Sequence, residues 1–259
     1  VAEIVEKNTG MDQDHYLHPD PMPYIHNLKE AVAFFKNYVA EHDNPIITIV
    51  GDYDVDGIDA TTILYHAIFK YMGIPPKTRL PKRFSEGYGL SVKIIDEINS
   101  GLVITVDNGI AAAEAVRHAK DKGLAVIVTD HHMPPVDEYG QMILPEPDIL
   151  VDPYAEDLSE YKGYCGAGLA YRFAQELLPG KNLKKLLVFA AIATVADVMP
   201  ITGPNWMLVR EGLKAINDAE YVFIHELCHL IEFNHSKNFK MLMDKNCPNW
   251  REIKKILNS

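Results

Sequence analysis

Short apolar runs that end in aspartate alternate along this chain with longer stretches whose apolar residues recur at helical spacing. Residues 27–42, NLKEAVAFFKNYVAEH, predict a helix. PIITIVGDYDVDG (45–57) predicts a buried strand that runs into an acidic loop, and ATTILYHAIFKYMG (60–73) predicts a helix stopped at Gly73. The unit recurs. GLVITVDNG (101–109) reads as strand then loop, IAAAEAVRHAKDKG (110–123) as helix with a glycine stop, and LAVIVTDHH (124–132) as strand then loop. Strands alternating with helices imply a parallel sheet. Such sheets bind ligands beyond the carboxyl ends of their strands. From about residue 166 the pattern turns helical, in 166–178, 182–198 and 205–218. The expected fold is therefore α/β. A parallel sheet flanked by helices occupies residues 1–218 with its helical segment, and a short helical tail occupies 219–259.

Composition narrows the class. With 259 residues, 47% of them hydrophobic, the chain can build a core without disulfide staples. Its three cysteines, Cys165, Cys228 and Cys247, are an odd and sparse set, which points to a reducing compartment and hence the cytoplasm. No apolar run reaches the length of a membrane span. The net charge of −11 argues against a passive, charge-driven nucleic-acid binder. Carboxylates that hold divalent cations would reverse that local charge.

The candidate chemistry lies at the three predicted strand ends. DYDVDG places Asp52, Asp54 and Asp56 at alternating positions, Asp107 ends the second strand, and Asp130, His131 and His132 end the third. Carboxylates with imidazoles, and no cysteine among them, suit Mn²⁺ or a similar ion. Two ions sharing a bridging carboxylate would relieve the repulsion of converging acids and would clamp the oxygens of a phosphoryl displacement. Each piece alone also fits a solvated turn or a helix cap.

GDYDVDG, ITVDNG and VTDHH resemble, in order and spacing, the first three motifs of the DHH phosphoesterase superfamily. LPKRFSEGYGLS (80–91), YCGAGLAYRF (164–173) and AIATVADVMPI (191–201) are similar to segments of its RecJ-like branch of single-strand-specific 5′→3′ DNA exonucleases. The resemblance implies Asp54 and Asp56 as ligands of one metal each, Asp107 as the bridge, and His131 and Asp197 as further ligands. His132 is implied as a ligand or a phosphate contact. Asp107, His132 and Asp130 form the implied catalytic set, while Asp52 and Asn108, with Asp130, support the ligands. Two Mn²⁺ or Mg²⁺ ions and a single-stranded DNA or oligonucleotide substrate follow from the same likeness. Lys77, Arg79, Lys82 and Arg83, beside Phe84 and Tyr88, offer a small basic and aromatic stretch for a nucleic-acid strand, or an ordinary surface loop. The family also leads one to expect a second, strand-gripping domain, and no motif for it follows Asp218.

The tail has other chemistry. In YVFIHELCHLIEFNHSK (221–237), a helix would place His225 and His229 on one face, with Glu226 as base and His235 as third ligand after a bend near Asn234. The segment resembles the metal-binding part of YgjP-like metal-dependent hydrolases, so one Zn²⁺ is expected there. A metallohydrolase or peptidase is the alternative enzyme class, and a binding subunit without turnover is another. Packing of Phe223, Leu227, Leu230 and Ile231 on the main domain is the simpler use of the same helix.

Overall fold

The computed structural model describes residues 22–82, 85–218 and 236–246, with residues 7, 20 and 251 besides. Among these residues, five parallel strands lie in the order β2-β1-β3-β4-β5. They are β1 (Ile47–Val50), β2 (Lys77–Arg79), β3 (Leu102–Val106), β4 (Ala125–Thr129) and β5 (Ile149–Val151). The helices are α1 (Leu28–Glu41), α2 (Val55–Met72), α3 (Val92–Asp96), α4 (Ala113–Asp121), α5 (Gly166–Leu177), α6 (Lys184–Ala196), α7 (Pro204–Asp218) and α8 (Lys237–Asn246).

β1 and β3 are buried along their whole length, as strands covered on both faces must be. Ile47, Ile49, Leu102, Ile104 and Ile127 pack against α1, α2, α5 and α6. Val50, Val103, Val126 and Val128 face the smaller layer of α3 and α4. The order reverses between β1 and β3, so the crevice that parallel sheets offer to ligands opens beyond the ends of those two strands.

Two strands escape the sequence pattern. β2 is three residues long and mostly exposed, so it shows no apolar run, and Lys77 and Arg79 stand in a strand rather than a loop. β5 is equally short and is recognised only by its pairing with β4. The helix expected at 60–73 begins earlier, at Val55. Asp54 caps it by accepting from the Gly57 N–H at 2.9 Å, and Gly73 ends it in the left-handed region. The acidic loop is thus largely the first turn of α2.

Candidate active site

The strand register assembles the site. Val106 pairs with Thr129 and Thr129 with Val151, so Asp107, Asp130 and Asp152 stand level, one residue beyond those pairs. Val50 pairs with Thr105, which brings Asp52 level with Asp107. Asp56 joins them from the first turn of α2. Its two oxygens accept from the Gly166 N–H at 2.6 Å and the Ala167 N–H at 2.7 Å, the first residues of α5. This is the carboxylate-at-helix-N-terminus arrangement, favourable both as hydrogen bonding and through the helix dipole. A Cβ at Gly166 would lie 2.4 Å from Asp107 Cβ, so only glycine lets α5 approach this closely.

His131 reaches into the acids. Its Nε2 is 3.0 Å from Asp107 Oδ1, 3.4 Å from Asp56 Oδ2 and 3.8 Å from Asp197 Oδ2. Among the described residues, two groups offer ligand atoms close enough for one ion each: Asp107, His131 and His132, and Asp56, His131 and Asp197. Asp54 stands in neither group and spends one oxygen on its helix cap. Its charge still reaches Asp107 and Asp197. Asp130 is buried and fully engaged. Oδ1 accepts from the His131 and His132 N–H groups and pairs with His132 Nδ1 at 2.8 Å, while Oδ2 accepts from the Ile110 N–H. Asp130 therefore positions His132 and holds the loop.

Burial, with Asp56, Asp54 and Asp130 close by, pushes the Asp107 carboxyl up to about 11. Burial likewise raises Asp197, with the charge of Asp56 adding to it, and lowers His131 against the pull of Asp56. The Asp130 hydrogen bond raises His132 to about 9. Burial opposes ionisation of Asp130, yet the His132 bond and backbone donors hold that carboxyl below its usual range. Carboxylates buried this close together need protons or cations to coexist. The two groups present oxygen and imidazole nitrogen without a thiolate, a donor set that fits Mn²⁺ and, less fully, Mg²⁺.

Several of these features do not stand out in the sequence. Asp152 is buried, with one oxygen accepting from the Tyr154 N–H at 2.7 Å and the other unpartnered among the described residues. Burial and the Asp130 charge raise it to about 7. DILVDP also ends a run in aspartate, but the run is three residues long and does not stand out as those of the earlier strands do. Asp59, one turn after Asp56, also keeps a buried oxygen unpartnered, and burial with the Asp56 charge raises it to about 7. Asn108 has a structural part. It accepts from the Leu90 N–H and donates to the Val50 and Val106 carbonyls, tying β1, β3 and the loop before α3 together.

The basic stretch divides. Arg79 is committed to Glu86 and Glu97 at 2.8–3.0 Å, so it braces the loop rather than offering a free cation. Lys77 and Lys82 are exposed, and Tyr88 is 76% exposed. Arg83 and Phe84 lie outside the described residues, as do His225, Glu226, His229 and His235.

Asp197 does not sit inside a helix but caps α6. The next residue, Val198, takes φ 55°, and the Val198 and Met199 N–H groups bond back to Val195 and Thr194 carbonyls in a Schellman turn. A β-branched residue in this region is strained by about 1–2 kcal/mol. Val198 is 86% exposed, so glycine would forfeit no burial there. Val198→Gly should raise the melting temperature by about 2 °C, less whatever glycine adds to unfolded-state freedom. A lower melting temperature would show that no such strain is held.

The DHH family, N-terminal domain, matches residues 46–196, and the chain belongs to that family. A YgjP-like metallopeptidase domain matches residues 205–259. The single-stranded-DNA-specific exonuclease RecJ of Bacillus subtilis is 34% identical over 223 residues, which is 85% of this chain and 27% of that protein. The fold is that of a RecJ crystal structure bound to manganese, with a TM-score of 0.69 at 31% identity over 80% of this chain and 53% of that one. RecJ from Thermus thermophilus in complex with Mn²⁺ superposes with a TM-score of 0.70 at 27% identity, over 88% and 33%. The chain spans about a quarter to a third of the length of the curated relatives it matches.

Proposed function

We propose that this chain hydrolyses phosphodiester bonds of single-stranded DNA or oligonucleotides with two divalent ions, Mn²⁺ or Mg²⁺. The observation behind this reading is the pair of ligand groups that meet at His131, with Asp107 and Asp56 on either side of it at the sheet's switch point. Asp56, Asp107, His131 and Asp197 would hold the ions, with Asp54 completing the set. Such ions, when bound, neutralise a phosphodiester's charge and activate water as the nucleophile. Asp130 orients His132 through Nδ1, which leaves Nε2 for a phosphate oxygen or an ion. The Asp130 hydrogen bond favours the protonated ring of His132 when no ion is bound, which suits a phosphate contact. The names of the relatives support the substrate class, and the acidic surface is consistent with recognition that depends on bound cations. Chelation should abolish cleavage of a labelled single strand, and added Mn²⁺ should restore it. Cleavage that persists undiminished in chelator would reject the reading.

The tail supports a second element. Its match to a metallopeptidase domain, with the spacing of His225, His229 and His235, favours one bound Zn²⁺ there, with Glu226 as the base. A division after Asp218 is favoured by the packing of α7 on α6, although the tail match itself begins at residue 205. The double variant His225→Ala/His229→Ala should lose one equivalent of zinc by metal analysis and keep the manganese-dependent activity. Unchanged zinc content would mean that the helix only packs.

A further inference from the structure

Tyr53 and Tyr88 come from different parts of the chain and meet with ring centroids 5.4 Å apart and planes inclined by 35°. Tyr53 lies between Asp52 and Asp54 in the turn that opens α2, and it is half-buried. Tyr88 is 76% exposed, although a side chain this large and apolar gains from burial. The loop carrying it is not loosely attached. Asp52 accepts hydrogen bonds from the Tyr53 and Gly89 N–H groups, Asn108 accepts from Leu90, and Arg79 grips Glu86. Gly89 takes φ 54°, and a Cβ there would lie 2.7 Å from Asn108 Cβ. An exposed aromatic face is therefore fixed to the rim of the carboxylate row, beside Asp52 and on the β1 side.

We infer that Tyr53 and Tyr88 form a stacking platform for one nucleobase next to the phosphodiester held at the carboxylate cluster. This rests on the phosphodiesterase reading and narrows its substrate to strands that carry bases. A flat π-face is the ligand that a rigid, exposed ring pair accepts without a hydrogen-bond code, so the platform tolerates any sequence. It also adds affinity without positive charge, which matters in a chain of net charge −11. Only an unpaired base can present a face to it, so the platform favours single strands over duplexes.

The test compares an oligonucleotide with a strand of the same length whose bases are replaced by tetrahydrofuran residues. The wild type should prefer the base-bearing strand in kcat/KM, and Tyr88→Ala should reduce that preference about tenfold. Tyr88→Phe keeps the π-face and should keep the preference. A preference unchanged in Tyr88→Ala, or lost equally in Tyr88→Phe, would overturn the platform. Equilibrium binding of both strands, followed by anisotropy of an end label in Mn²⁺, separates the two failures. If the wild type cleaves neither strand but binds the base-bearing one more tightly through Tyr88, hydrolysis is refuted and the platform stands. Equal binding of both strands by the wild type refutes the platform.

Discussion

Asp107→Ala should cost about a thousandfold or more in manganese-dependent phosphodiester hydrolysis while leaving the fold intact. Removing a single preorganised electrostatic contact from an active site already costs two to three orders of magnitude. Asp107 ends β3, touches His131 at 3.0 Å and stands level with Asp52 and Asp130 in the strand register. Its left-handed backbone, φ 61°, is one that aspartate tolerates better than most residues, and alanine would add only modest strain. Against that strain, the substitution removes an acid that burial and its acidic neighbours keep protonated in the metal-free protein, so no favourable charge interaction is lost with it. The melting temperature without metal should therefore change little, whereas the rise in melting temperature on adding Mn²⁺ should shrink. Near-normal turnover by this variant would sink the assignment of the centre.

Gly166→Ala should be nearly as damaging, although residue 166 offers no side chain to the chemistry. The added methyl would lie 2.4 Å from Asp107 Cβ and 2.7 Å from Asp107 Oδ1, so α5, Asp107 or both must move. Both are constrained. α5 packs against α2 in the core, and its first two N–H groups hold the Asp56 carboxylate. Overpacking of this kind costs about 1–3 kcal/mol. The larger effect should be on rate, because Asp56 and Asp107 are the groups displaced. Assayed well below its melting temperature, the variant should lose most activity at saturating Mn²⁺. Full activity there would mean that the approach of α5 is not needed to set the carboxylates.

The strand-end acids are legible in the sequence because of the physics of parallel sheets. A strand covered on both faces must be a continuous apolar run, so ITIV, LVITV and AVIVT announce themselves. The first polar residue after each run falls at the edge where ligands bind. That reasoning reaches Asp52, Asp54, Asp56, Asp107, Asp130, His131 and His132. Asp197 is reached only through the family resemblance, since an aspartate closing a helix is ordinary by itself. Asp152 escapes it because its strand is three residues long, too short for an apolar run to stand out, and strand pairing alone identifies it.

The sequence by itself determined the layered α/β architecture, the three central strands and the acids and imidazoles that end them, because burial and backbone hydrogen bonding act on local pattern. The tertiary structure decided which of those groups share a centre. Asp54 spends an oxygen on a cap, Asp130 turns inward to hold His132, and Arg79 is drawn off by Glu86 and Glu97. Register, the close approach of α5 at Gly166 and the meeting of Tyr53 with Tyr88 depend on contacts between residues far apart in the chain. Local periodicity carries no information about such contacts, because they are set by how the layers pack.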